Sequence, residues 1–320
     1  MRFLLPQGIG DSVWALHKIQ SVAQKLGNGK IEVFLNCYNA DPNGVESRAL
    51  DFVRRFKFVD RAQMLPGIDI HPQASIRVSK EGHYIYIPDG PMKFNGDEYY
   101  ALMPNGPLER GIRLEDWLPE FETNWGIMKE FHISDQEKEV AAALRLQFGE
   151  YAVFYLGPLA GNLQEGHNRG MLWKPEDWVA LGKRIHSELG LSIVVVGAGY
   201  DEPYSQLLVY PLLGNDNEFW ADLVGKTNVG ELYGITTNSR FVISYQSGVG
   251  IVSNYLGVPT GIFWRPKGDS INPNIYLSFE EAMASAWANP EMIRTEKHMP
   301  LIYGRHDPDY ILTEIKRRNW

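Results

Sequence analysis

Phe241-Val242-Ile243-Ser244-Tyr245-Gln246-Ser247-Gly248-Val249-Gly250 runs from strand to helix through a turn of small residues. Phe241 to Ser244 is apolar and β-branched, as a buried strand requires, and Val249 to Leu256 has the length and apolarity of a short buried helix. Between them lies Gln246-Ser247-Gly248. Such a turn leaves the first helical amides without intrahelical partners. Together with the Ser247 hydroxyl they suit a diphosphate. A packing turn between two buried elements has the same shape, so both readings stand at this point.

The same rhythm repeats outward. Tyr151 to Leu156 reads as a strand ending in Gly157-Pro158. Pro175 opens a helix with Trp178, Leu181, Ile185 and Leu189 on one face, and Gly190 closes it. Ser192 to Val196 is a strand running into Gly197-Ala198-Gly199, Asn228 caps a helix, and Thr260 to Trp264 is another strand. Upstream, Ser134 and Glu137 form a capping box for a helix reaching Phe148 and ending at Gly149. Further helices are expected at Glu280–Ala288 and Asp309–Arg318. At the amino end, Arg2 to Pro6 is a short strand. The loop Gln7-Gly8-Ile9-Gly10 follows, then a helix from Asp11 with Val13, Leu16, Ile19 and Ala23 at helical spacing and a stop at Gly27. Ile31 to Asn36 is the next strand. From about Asp60 to Asn124, proline and glycine break the pattern; His83 to Pro88 reads as a strand and the remainder as irregular segments.

Strand–helix alternation means parallel sheets covered by helices on both faces. It occurs twice, with a break near residues 145–150. The expected class is therefore α/β with two Rossmann-like domains, 1–148 and 149–320, the last helix being free to pack back on the first domain. In such sheets ligands sit beyond the carboxyl ends of the strands. The turns to read are then those at Gln7–Asp11, Gly157–Trp173, Gly197–Glu202, Gln246–Gly250 and Arg265–Ser270.

Composition narrows the classes. The 320 residues are 44% hydrophobic and 22% charged, as in a soluble globular protein, and the net charge of -8 does not suit a general polyanion binder. Cys37 is the lone cysteine, so no internal disulfide forms, which fits a reducing cytoplasm. No signal peptide or apolar run of about 18 residues is visible. A cytoplasmic protein without an integral membrane segment is expected.

Several motifs carry a sharp and a bland reading. Asp11 is either a helix cap or a general base. Gly197-Ala198-Gly199 resembles half of a dinucleotide fingerprint, but Glu202 stands where the third glycine belongs, so a tight turn is preferred to a nicotinamide site. Gly225-Lys226-Thr227 spells the tail of a phosphate loop, yet Trp220 occupies the place of its first glycine. The eight histidines are dispersed and no metal site is expected. Asp307-Pro308-Asp309 is read as a cap with proline in the first turn, and Lys316-Arg317-Arg318 as the basic end of that helix. Trp173 and Trp264 lie in turns where a ring can stack on a ligand; burial is preferred for each.

Three segments carry a family resemblance. They are Gly10-Asp11 with its helix, and Trp173-Lys174-Pro175-Glu176-Asp177-Trp178 with the strand after it. The third runs from Leu223-Val224-Gly225-Lys226-Thr227 through Phe241–Gly248 to Leu256-Gly257-Val258-Pro259-Thr260. Their order resembles the heptosyltransferase-like glycosyltransferases of family 9, which have the GT-B fold of two facing Rossmann-like domains. The resemblance implies transfer of a hexosyl, heptosyl or pentosyl group from a nucleotide-diphosphate sugar to a hydroxyl acceptor. It implies inversion and no metal or other cofactor, the nucleotide-sugar being a co-substrate. The donor would lie on the second domain at Gly157, Gln246, Ser247, Gly248 and Val249, with a cation from Arg169 or Lys226 and with Glu202 on the ribose or base. The acceptor would lie near Gly8, Ile9 and Gly10, with Asp11 as base. Departures are Gln246 for the family's aspartate, Ile251 for its histidine and Met171 for its lysine, so a donor other than ADP-heptose is open. A glycan or lipopolysaccharide-like acceptor is preferred to DNA because the chain is acidic. The alternatives are a transferase for hydroxymethylated bases of viral DNA, a GT-B binding protein without catalysis, and a nucleotide-sugar epimerase.

Overall fold

The computed structural model describes residues 2–5, 8–25, 30–37, 45–66, 92–94, 97–101, 127–157, 173–215, 217–264, 266, 278–280, 295–302 and 305–320. The chain divides into two compact units. The first comprises Met1–His132 and Phe279–Ile293, and the second Ile133–Ser278 and Arg294–Trp320.

In the first unit, β1 (Arg2–Leu5), β2 (Ile31–Cys37), β3 (Val59–Pro66), β4 (Met92–Phe94) and β5 (Asp97–Ala101) form a sheet in the order β3-β2-β1-β5-β4. All neighbours are parallel except the β4–β5 pair. The order turns around at β1, so the loop after β1 lies where connections diverge to either side. That loop feeds α1 (Ile9–Lys25), whose Val13, Leu16 and Ile19 are buried. A second helix, α2 (Val45–Arg54), buries Ala49, Phe52 and Val53, and Phe52 packs with Phe56 and Phe131 at ring separations of 5.3 Å. The stretch expected to be irregular from about Asp60 thus supplies most of β3 and all of β4 and β5. Sequence reading passed over β3 because Asp60, Arg61 and Gln63 interrupt its apolar pattern. An edge strand tolerates that, since among the described strands it pairs on one side only. The strand expected at His83–Pro88 lies outside the described residues, as does nearly all of the helix expected at Glu280–Ala288.

The second unit opens with α3 (Asp135–Phe148). Its capping box closes in both directions: Glu137 N–H donates to Ser134 Oγ at 3.3 Å and Ser134 N–H to Glu137 Oε2 at 2.8 Å. Strands β6 (Tyr151–Tyr155), β7 (Ser192–Val196), β8 (Trp220–Asp222), β9 (Val242–Tyr245), β10 (Thr260–Trp264) and β11 (His298–Ile302) follow, with α4 (Pro175–Leu189), α5 (Val229–Thr237), α6 (Gly248–Tyr255) and α7 (Pro308–Arg317). The sheet order is β11-β10-β9-β6-β7-β8 and every pair is parallel. Counted within the unit this is 6-5-4-1-2-3, the doubly wound dinucleotide-fold order. Its central strands are buried on both faces, which explains runs such as Ser192-Ile193-Val194-Val195-Val196. Close packing also needs Gly182 on α4, because a Cβ there would meet the Trp220 ring at 2.5 Å.

The break between units falls at residue 132, not 148. Helix α3 belongs to the second unit because it packs on α5; a Cβ on Gly234 would lie 3.2 Å from the Glu137 carbonyl. The last helix also stays in the second unit. It lies along α4, where Lys316 Nζ meets Glu188 Oε2 at 2.5 Å and Arg184 pairs with Asp309. The Asp307 cap is realised: its Oδ1 accepts from Tyr310 N–H at 2.8 Å and Pro308 opens the helix. No described helix is long and apolar enough to cross a membrane.

Candidate functional site

The doubly wound order reverses between β6 and β9, and a crevice forms beyond the carboxyl ends of the two strands at such a point. Gly157 lies two residues after β6, and Gln246-Ser247-Gly248 follows β9. Gln246, Ser247 and Gly248 are half-buried and so reachable from solvent.

Ser247 is the N-cap of α6, with extended backbone at φ -158° and ψ 168°. Its Oγ accepts from Gly250 N–H at 3.4 Å and lies 3.0 Å from Ser244 Oγ. The Ser244 hydroxyl donates to the Tyr245 carbonyl at 2.6 Å, so the Ser247 proton points to Ser244. The Ser247 hydroxyl is therefore engaged within the turn. Ile251 N–H bonds back to Ser247 O at 3.0 Å. Among the described residues nothing accepts from the N–H groups of Gly248 and Val249. These two amides, at the positive end of a helix dipole, form the donor set of the corner.

Gly157 has a different explanation. A Cβ there would fall 2.3 Å from Asp201 Oδ1 and 2.5 Å from its Cγ. Asp201 is 4% exposed, and its Oδ2 accepts from Ala198 N–H at 2.8 Å and crowds Gly197 as well. Glycine at 157 thus makes room for a carboxylate. Glu202 and Lys226 lie on the far side of β6, beyond β7 and β8. Glu202 Oε1 accepts from Gln206 at 2.9 Å, and Lys226 Nζ donates to the Asp222 carbonyl at 2.8 Å. Gly225 stands between them with φ +73°, pressed to 3.2 Å from Gly199 Cα at its missing Cβ. The structure therefore brings Gln246, Ser247, Gly248 and Val249 together, seats Gly157 one strand away, and groups Glu202 with Lys226. Arg169 lies outside the described residues.

In the first unit, Gly8 lies between β1 and α1, and Ile9 and Gly10 are the first two residues of α1. Ser12 N–H bonds to Gly8 O at 2.8 Å, so Gly8 closes the first helical turn and α1 starts at Ile9. Asp11 is therefore the third helical residue and not an N-cap, which was one of the two roles that its place in the sequence left open. The two glycines had hidden the true start.

Both tryptophans considered as stacking platforms are buried. Trp264 is fully buried, with its Nε1–H donating to His298 Nε2 at 3.1 Å. Burial holds that imidazole neutral, its pKa pushed down to about 3. Trp173 donates from Nε1 to the His306 carbonyl at 2.9 Å and accepts at its own carbonyl from Tyr204 Oη at 3.0 Å. Its ring lies 5.1 Å from Trp178 and 5.0 Å from Phe263, and both of those touch Tyr245 at 5.6 Å. This aromatic cluster backs the corner. Sequence reading missed two supporting groups: Asp201, and Tyr233, whose hydroxyl donates to the Gly248 carbonyl at 3.1 Å. Neither had a local signal, because each acts across elements. Among the described residues no three His, Cys, Asp or Glu side chains converge as metal ligands would.

No family model matches this sequence, and no curated protein matches it. Solved structures do. ADP-heptose LPS heptosyltransferase II of E. coli superposes with TM-score 0.60 at 12% identity, covering 99% of this chain and 97% of that one. A family 9 glycosyl transferase from Veillonella parvula gives TM-score 0.57 at 14% identity over 99% and 89%. The E. coli heptosyltransferase WaaC with ADP gives 0.51 at 14% over 100% and 98%. At this identity the likeness speaks for the fold and leaves the reaction to be argued from the residues. The chain has the heptosyltransferase-like GT-B fold of the family 9 glycosyltransferases.

Proposed function

We propose that the protein is a glycosyltransferase that moves a sugar from a nucleotide-diphosphate donor to a hydroxyl acceptor. One observation carries the reading. The amides of Gly248 and Val249, free among the described residues, stand at the strand-order reversal of a doubly wound sheet, where such sheets bind nucleotides. In the proposed reaction the leaving diphosphate rests on these amides. A cation from Arg169 or Lys226 adds to the charge stabilisation; Lys226 would exchange its bond to the Asp222 carbonyl for the phosphate. Glu202 faces the ribose or base. Asp11 takes the proton of the acceptor hydroxyl as it attacks the anomeric carbon, and the C–O bond to the diphosphate breaks with inversion. No metal is assigned a step. A glycan acceptor fits the net charge of -8 better than DNA.

Thermal-shift measurement against UDP-, ADP-, GDP- and CMP-sugars, followed by donor hydrolysis with wild type and Asp11→Asn, tests this. One donor class should raise the melting temperature, since ligand bound to the folded state stabilises it. The variant should keep that shift and lose turnover. Absence of a shift with every donor would remove the reading, and equal turnover in both proteins would remove Asp11 from it.

A further inference from the structure

The corner after β9 is supported from behind by a residue on a different helix. Tyr233 lies on α5 and is fully buried; its Oη donates to the carbonyl of Gly248 at 3.1 Å. That carbonyl and the Val249 N–H belong to one rigid peptide plane. The carbonyl already serves as a helical acceptor at the start of α6. The tyrosine adds a second donor to it from the protein interior. Hydrogen bonds that share a peptide polarise one another, and a bond on the carbonyl makes the N–H of the same plane a better donor. The phenol also fixes the tilt of the plane. It cannot turn to water, and its own helix is anchored by a closed capping box. There Glu231 N–H donates to Asn228 Oδ1 at 2.9 Å, and Asn228 N–H to Glu231 Oε2 at 2.9 Å.

We propose that Tyr233 is a positioning residue for the diphosphate subsite, holding and polarising the Gly248–Val249 peptide so that its free N–H meets a phosphate oxygen. This rests on the reading of the Gln246–Val249 corner as that subsite. The phenol touches no substrate, and its effect passes entirely through the Val249 amide. It also predicts where specificity is felt: on the diphosphate, not on the nucleoside.

A matched control bonds to the same helix from a strand. Tyr151 is equally buried, and its hydroxyl donates to the Ile235 carbonyl of α5 at 2.9 Å. It stands at the opening residue of β6, away from the carboxyl edge of the sheet. The experiment compares wild type, Tyr233→Phe and Tyr151→Phe as full chains, by calorimetric titration with inorganic pyrophosphate, ADP, UDP and GDP and with the matching nucleosides. Each variant loses one hydroxyl and no ring, so both should fold with similar small losses in melting temperature. Tyr233→Phe should weaken pyrophosphate and the preferred nucleoside diphosphate about fivefold, from the loss of one hydrogen bond, while nucleoside binding stays level. Tyr151→Phe should leave both unchanged. Equal diphosphate affinity in wild type and Tyr233→Phe overturns the inference, as does parallel weakening by both variants. If wild type binds neither pyrophosphate nor any nucleoside diphosphate, the proposed subsite itself fails, which is a different result.

Discussion

Two glycine-rich turns flank β6 in the second unit, one after β7 at Gly197-Ala198-Gly199 and one after β9 at Gln246-Ser247-Gly248. As sequence they are alike: each follows a buried strand, and each uses small residues to open a helical segment. In the structure they differ in what occupies them. The first is filled by the protein's own Asp201 carboxylate, pressed on Gly157 and Gly197. The second is half-exposed, and among the described residues nothing accepts from two of its amides. Small residues in a strand-to-helix turn thus admit a close neighbour without specifying whether it is a side chain or a ligand. Only the partners across the sheet decide.

The largest expected effect falls on the filled turn. Gly157→Ala forces a methyl into a buried, hydrogen-bonded carboxylate and should cost about 3 kcal/mol in chemical denaturation, at the upper end for overpacking. In an Asp201→Ala background the same substitution should cost little. A full penalty there would mean that Asp201 is not what demands the glycine.

On the open turn, Gly248→Pro is the matching change. Proline is favoured at the first helical position, and the extended Ser247 before it is compatible with it, so stability should move little. One amide donor is lost, however. Diphosphate affinity should fall about thirtyfold, the weight of a hydrogen bond to a charged group. Unchanged affinity would make this turn a packing device like the first.

Both measurements are best made above pH 6.5, because His298 adds a pH term of its own. Its folded pKa is about 3 against an ordinary 6.5. Below 6.5 the unfolded chain takes up a proton that the folded chain refuses. This contribution to stability is complete above pH 6.5 and is lost at about 1.4 kcal/mol per pH unit as pH falls toward 3. His298→Gln, which retains an acceptor for Trp264, should flatten that slope; an unchanged slope would place the acid sensitivity elsewhere.

The smallest effect expected is that of Ser247→Ala. If the hydroxyl acts as a cap, stability drops about 1 kcal/mol, with less loss of diphosphate affinity than Gly248→Pro shows. The reverse ranking would make Ser247 a phosphate ligand.

The second unit was largely legible in sequence, for physical reasons. Strands buried on both faces read as unbroken apolar runs, and the bounds of Ser192–Val196 and Thr260–Trp264 coincide with the observed strands. Caps at Ser134, Asn228 and Asp307 announced their helices. Strands at the sheet edges were not legible. In β11, Pro300 sits inside His298-Met299-Pro300-Leu301-Ile302 and argues against a central strand. It is tolerated because, among the described strands, β11 pairs on one side only. β8 spans three residues, and α2 was not anticipated at all. At the site, the Gln246–Val249 turn was readable as a local pattern. Asp201 beneath Gly157 and Tyr233 behind Gly248 were not, since their meaning comes from contacts across the sheet.

The rings behind the open turn have one more consequence. Trp173, Trp178, Phe263 and Tyr245 touch in sequence, and Tyr245 immediately precedes Gln246. Indoles fixed this close in an asymmetric setting give near-ultraviolet circular dichroism that depends on their mutual orientation. The molecule carries its own optical gauge, so occupancy of the neighbouring turn is open to spectroscopy without an attached dye.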